Sequence, residues 1–212
     1  MRVKRESVRD MKKTAKKQRI QDAAIKVLAN NGYYGTTVSQ IAKAAGVADG
    51  TLYLYFTNKD DLLLKIMEEI MERFIEEGLE ILERAASPID RLKAIAQLHL
   101  RKLGADQDLA CIFQIELRHN AKMMKFFSEN KLRRYFSIVE DIIRDAQSQG
   151  QIRAEINPWM TAKILYGALD EMATNWVLRK KDYDLESMAK PTLDILLNGM
   201  CTQAHPMDGG ET

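Results

Sequence analysis

Residues 36–59 read TTVSQIAKAAGVADGTLYLYFTNK, and this stretch decides the fold. Val38, Ile41 and Ala42, then Val47, Leu52 and Phe56, recur at helical spacing on either side of Ala45-Gly46-Val47. The pattern predicts two short amphipathic helices joined by a turn. Helices this short bury little alone. As a helix-turn-helix, one braces against the phosphate backbone while the second, beginning near Ala48 or Asp49, offers its first turn to a DNA groove.

Upstream, Ile20, Ala23, Ala24, Val27 and Leu28 predict a first helix that stops at Asn30-Asn31-Gly32. Thr36 or Thr37 caps the second helix with a side-chain oxygen. Downstream, Asn58 caps a long helix from Lys59 whose stripe runs through Leu62, Leu63, Ile66, Ile70, Phe74, Leu79 and Leu82. Ser87-Pro88 ends it and opens the next. Helical periodicity continues over residues 88–102, 109–119, 123–149, 158–181 and 185–201, with no competing strand signal. The expected fold is all-α: an N-terminal three-helix DNA-binding head and a C-terminal helical ligand-binding and dimerisation body. The expected boundaries are a flexible basic arm at 1–14, the head at 15–60, the body at 61–201 and a disordered tail at 202–212.

The 212 residues carry a net charge of only +2, with 46% hydrophobic and 29% charged residues, so placement of charge matters more than its sum. Arg2, Lys4, Arg5, Arg9, Lys12, Lys13, Lys16, Lys17 and Arg19 oppose only Glu6 and Asp10 at the front of the chain. Such an arm either follows phosphates or is a solvated tail. Cys111, Cys201, His99, His119 and His205 have no metal-like spacing, so neither a metal nor a cofactor is expected. No apolar run approaches the ~20 residues of a membrane span and no signal peptide is evident, so a cytoplasmic protein with reduced thiols and no membrane partner is expected. No nucleophile, base and orienting group stand at workable spacing, which argues against an enzyme.

Within the head, Tyr53 and Tyr55 place hydroxyls either side of a buried Leu54 as phosphate clamps. Lys59 adds an ammonium at a helix N-terminus. The alternative for the tyrosines is an aromatic lid over a small core, with Tyr53 the more buried of the two. Thr51 and the backbone at Ala48, Asp49 and Gly50 are best placed to touch base edges, Asp49 by accepting from a cytosine amino group, and the cap at Thr37 can meet a phosphate. Gly50 costs about 1 kcal/mol of helix propensity relative to alanine. Either DNA approaches its backbone closely or the first helix packs there.

With these residues laid out, the N-terminal third resembles the TetR family of bacterial transcription regulators. The resemblance rests on residues 20–28, Gly32-Tyr33, Thr37-Val38, Ile41-Ala42, Ala45-Gly46-Val47, Gly50-Thr51-Leu52-Tyr53-Leu54-Tyr55-Phe56 and Asn58-Lys59-Asp60-Asp61-Leu62. A sparser likeness, through residues 114–118, Asp170-Glu171, Thr174, Trp176-Val177 and residues 181–185, is to acyl-CoA-responsive repressors of fatty-acid degradation within that family. The long basic arm and the tail after Cys201 depart from it.

That resemblance implies a palindromic double-stranded DNA operator, a homodimer and a long-chain acyl-CoA effector. The last two helices offer Ile164, Leu165, Ala168, Leu169, Met172, Leu193, Leu196, Leu197 and Met200 for a four-helix interface, although some must serve the chain's own core. Phe113, Leu117, Phe136, Tyr166 and Trp176, with Met123, Met124, Phe126, Phe127 and Tyr135, are either ordinary core or walls of an acyl tunnel. Arg118, near His119, Lys122, Lys125, Arg133 and Arg134, is either a cationic rim for CoA phosphates or an ion-pair partner of Glu116, Asp170 or Glu171. The competing expectation, a repressor released by drugs or other hydrophobic compounds, has Glu116, Asp170 and Glu171 facing a cation.

Overall fold

The computed structural model describes residues 8–118, 121–179 and 183–198. Among them every regular element is helical. The head comprises α1 (Val8–Gly35), α2 (Val38–Ala44) and α3 (Asp49–Leu52). α4 (Lys59–Arg84) leads into α5 (Pro88–Ala105) and α6 (Gln107–Cys111), which runs on as a π-helical turn, Ile112–Glu116. α7 (Ala121–Phe127) passes through a second π turn, Ser128–Leu132, into α8 (Arg133–Ser148). α9 (Pro158–Leu178) is followed by a 3-10 turn, Glu186–Met188, and α10 (Ala189–Asn198).

α1 begins upstream of the expected start at Ala15, so the second half of the expected arm is helical. Met11, Lys12, Lys13, Ala15 and Lys16 have good helix propensity, and Lys17 pairs with Glu69 of α4. Residues 1–7 of the arm, the tail 202–212, the Lys180-Lys181-Asp182 break, and Met200, Cys201, His119 and His205 lie outside the described residues, as does the Lys122 side chain. The expected stop at Gly32 is a kink instead of an end. Its backbone (φ 72, ψ 164) lies where side chains are strained, and α1 continues beyond it to Gly35.

Ile20, Ala24, Leu28, Ile41, Leu52 and Phe56 form the head's core, and α4 closes it with Leu62 and Leu63. The same helix sends Ile66, Met67, Met71 and Ile75 into the body, so one apolar cluster runs through both parts. In the body, α5 packs on α4, α8 and α10, while α8 also packs on α9. No helix among the described residues is long and apolar enough to cross a membrane.

Candidate DNA interface and ligand cavity

The start of α2 is set by Thr37 in a capping box. Its hydroxyl accepts from Gln40 N at 3.2 Å while Gln40 Oε1 accepts from Thr37 N at 2.7 Å. Thr36 is occupied otherwise: it is buried and donates to Gly32 O at 2.8 Å. Arg19 of α1 reaches Ala45 O at 3.1 Å and holds the turn between α2 and α3.

α3 is a single turn, and Ala48, Asp49 and Gly50 lie exposed at its start with Thr51 half-buried beside them. A Cβ built on Gly50 would meet nothing within 4 Å. Close packing against α1 is therefore not why glycine stands there. The Asp49 carboxylate accepts from the Ser39 hydroxyl, which links the first turns of the two helices.

The aromatic run differs from expectation. Leu54 is 79% exposed and Tyr53 55% exposed, while Tyr55 is half-buried against the core. Leu52 and Phe56, four residues apart, take the inward positions of this tight segment, so Leu54 between them is turned out. Tyr53 and Leu54 thus share the outer surface with Gly50.

Lys59 also departs from its expected part. Its ammonium donates to Tyr33 O and, at 2.8 Å, to Thr36 O, and lies 4.1 Å from the centroid of the Tyr33 ring. Burial lowers its pKa. Asn58 Oδ1 caps α4 through Asp61 N at 2.8 Å, and Asp60 and Asp61 occupy the first turn. Lys59 therefore ties the C-terminal end of α1 to α4, and that helix start is acidic and already capped, unlike a phosphate site.

In the body, a cavity of about 320 Å³ opens between α4, α5, the Ile112–Glu116 turn, α8 and α9. Ile70, Met71 and Phe74 line one side and Leu103, Leu109 and Phe113 another; charged Arg73, Glu77 and Lys102 complete the lining. Glu77 is held by Lys102 and, at 3.0 Å, by Arg101.

Of the expected ligand residues, Phe113, Tyr166 and Asp170 line this cavity. Leu117, Phe136, Trp176 and Arg118 do not. Leu117 is buried in the core. Phe136 stands one layer back, its ring 5.3 Å from that of Tyr166 and under the Lys163 ammonium at 3.3 Å. Trp176 Nε1 donates to Tyr183 O at 2.9 Å, and Tyr183 Oη donates to Met172 O at 2.8 Å, which clasps the end of α9 to the chain that follows. Arg118 pairs with Asp170 and reaches Gln114 Oε1 at 3.3 Å. Lys125 pairs with Glu129 at 3.9 Å, away from the cavity.

Asp170 also accepts from Gln114 Nε2 at 2.8 Å, and Thr174 donates to Gln114 Oε1 at 2.9 Å. Glu116 faces the other way. Its carboxylate accepts from Tyr33 N at 2.5 Å, just past the Gly32 kink, where a side chain at residue 32 would sit 3.5 Å from Glu116 Oε2. Glu171 is exposed and bonded by Asn175 Nδ2 at 2.9 Å. Of these three carboxylates only Asp170 lines the cavity, and there it is paired with Arg118.

Sequence reasoning gave neither His99 nor Gln114 a place at the ligand site. His99 is buried, its pKa pushed down to about 4 by burial against the opposing pull of Asp170. Burial and then the Asp170 charge raise the Tyr135 and Tyr166 hydroxyls. The signal available was Gln114 and His99 at apolar positions of their helices, since a polar group in an apolar stripe needs a partner.

Residues 20–66 match the family model of bacterial regulatory proteins of the tetR family, and residues 67–199 match that of the YsiA-like protein, C-terminal region. The fatty acid metabolism regulator protein of Bacillus subtilis is 35% identical over 188 residues, 89% of this chain and 97% of that protein. The crystal structure of the transcriptional regulator FadR from Bacillus subtilis in complex with stearoyl-CoA superposes with a TM-score of 0.83 at 36% identity, covering 87% of this chain and 99% of that one. The fatty acid degradation regulator FadR from Bacillus halodurans gives 0.82 at 37% identity, with 87% and 99% covered. A helix-turn-helix head fused to a helical body that encloses a cavity, matched along nearly its whole length, places this chain in the TetR family of transcription regulators.

Proposed function

We propose that the chain is a dimeric repressor of fatty-acid-degradation genes that leaves a palindromic operator when it binds a long-chain acyl-CoA. The observation that carries this reading is the cavity itself: apolar side chains from α4, α5 and the Ile112–Glu116 turn, with Arg73 and Lys102 exposed among its lining. That is the division an acyl chain and a CoA phosphate group require. The relatives named for fatty acid regulation, one of them holding stearoyl-CoA, support it.

Operator contacts fall to Thr37, Ala48, Asp49, Gly50, Thr51, Tyr53 and Tyr55, with Lys59 fixing the head from behind. Phe113, Tyr166 and Asp170 contact the ligand; Arg118, Phe136, Leu117 and Trp176 support the wall. Trp159, Met160, Ile164, Leu178, Ile195 and Leu196 are exposed on α9 and α10 and form the dimer face, whereas Leu165, Leu169 and Leu193 serve the chain's own core. A head this small reads few base pairs, so a second head supplies the remaining specificity.

Release follows from the π turn. Phe113 and Gln114 face the cavity while Glu116, on the same turn, holds α1 at its kink. A chain that displaces Phe113 biases Glu116, hence the angle of the head and the distance between the two heads. The test uses an operator selected from random duplexes by the purified protein. Palmitoyl-CoA should release the protein from it, and CoA alone should not. Affinity unchanged at saturating palmitoyl-CoA would refute the proposal.

A further inference from the structure

Four rings meet at one wall of the cavity: Phe74 of α4, His99 of α5, Tyr135 of α8 and Tyr166 of α9. The His99 ring lies 6.1 Å from Tyr135 and 5.7 Å from Tyr166, and Tyr135 lies 5.8 Å from Tyr166. The Tyr166 hydroxyl feels the Asp170 charge. The other two polar atoms are not provided for. Neither the Tyr135 hydroxyl nor His99 Nδ1 has a hydrogen-bond partner among the described residues, and both are buried.

A buried hydroxyl without a partner has given up its hydrogen bonds to water and gained none in return. Two such atoms on residues that line one cavity mark the place where a ligand brings a polar atom into it. We infer that Tyr135 Oη and His99 Nδ1 together bind a carbonyl oxygen of the ligand, which on the acyl-CoA reading is the thioester carbonyl. The phenol supplies one donor and the neutral imidazole, in its Nδ1–H tautomer, the second, matching the two lone pairs of a carbonyl oxygen.

The inference rests on the acyl-CoA reading, and the experiment separates the two. Palmitoyl-CoA and S-hexadecyl-CoA, in which a methylene replaces the carbonyl, are titrated into full-length protein and into Tyr135→Phe, following tryptophan fluorescence. Wild type should bind the thioester about tenfold more tightly than the thioether, as expected for two neutral hydrogen bonds, and the variant should reduce that ratio to about two. Free Tyr135→Phe should melt no lower than wild type, because its hydroxyl bonds nothing there. Equal wild-type affinities, a ratio unchanged in the variant, or a lower melting temperature would overturn the carbonyl site alone. Failure of palmitoyl-CoA to bind wild type would overturn the acyl-CoA reading and this site with it.

Discussion

The head and the body are built from the same kinds of side chain and put them to opposite use. In the head, Phe56 is 1% exposed and joins Leu52, Leu62 and Leu63 in a filled core, and the buried polar groups of Thr36 and Gln21 are hydrogen-bonded. In the body, Phe74, Phe113 and Tyr166 stand half-buried around space, and His99 and Tyr135 bury polar atoms that nothing nearby satisfies. A rigid reader needs fixed geometry, while a switch needs a region that a ligand can complete. The difference teaches where stability is concentrated and where it is withheld.

Truncation tests that contrast most strongly. Phe56→Ala empties a filled site and should destabilise by about 3–5 kcal/mol, enough to unfold the head. Phe113→Ala enlarges a cavity that already exists and should cost about 2 kcal/mol or less. Urea midpoints at a fixed protomer concentration compare the two, and equal costs would mean that the body is packed like the head.

A titration sharpens it next. His99 protonates at about 4 in the folded chain against 6.5 when solvated, because burial disfavours the cation more than Asp170 favours it. As the pH falls below 6.5 the unfolded chain takes up this proton and the folded chain does not. The body therefore loses stability steadily between pH 6.5 and 4, by about 3 kcal/mol in all, and the loss levels off below. His99→Gln should lack this portion of the acid slope in denaturation curves, with the shared carboxylate portion left in place. A coincident slope would place the His99 ring in water.

The head was legible because its determinants are local. Thr37 three residues before Gln40, Gly46 between two apolar pairs, and Asn58 three residues before Asp61 each act over one turn, and each stands where it was expected. Leu54 was misplaced by the same reasoning, because a helix of one turn sets no period to extrapolate. In the body the ring of helices could be read from periodicity, but its cavity could not. Tyr135 meets His99 only through the packing of α8 on α5, and the π turn at Ile112–Glu116 shifts the helix face, turning Phe113 and Gln114 to one side and Glu116 to the other. Tertiary contact decided both, and no window of sequence contains it.

A cap gives a smaller effect on the head's side. Thr37→Ala removes the acceptor for Gln40 N and should cost about 1 kcal/mol. The loss should appear in thermal unfolding of the free protein and, through a frayed α2, as a modest fall in operator affinity. Unchanged stability would mean that Gln40 alone holds the start of the helix.

The smallest effect on the free protein is expected at Gly50, and it is the most informative. A Cβ there meets nothing within 4 Å and the backbone is helical, so Gly50→Ala should leave the fold intact and stabilise it by up to about 1 kcal/mol through helix propensity. Stability and function then move in opposite directions. If the DNA backbone or a base edge comes up to this exposed turn, the added methyl lowers operator affinity while the melting temperature holds or rises. Anisotropy titrations of a labelled operator against both proteins decide it. Equal affinities would show that the turn stands clear of the groove, leaving Thr51 and Tyr53 to read it from either side.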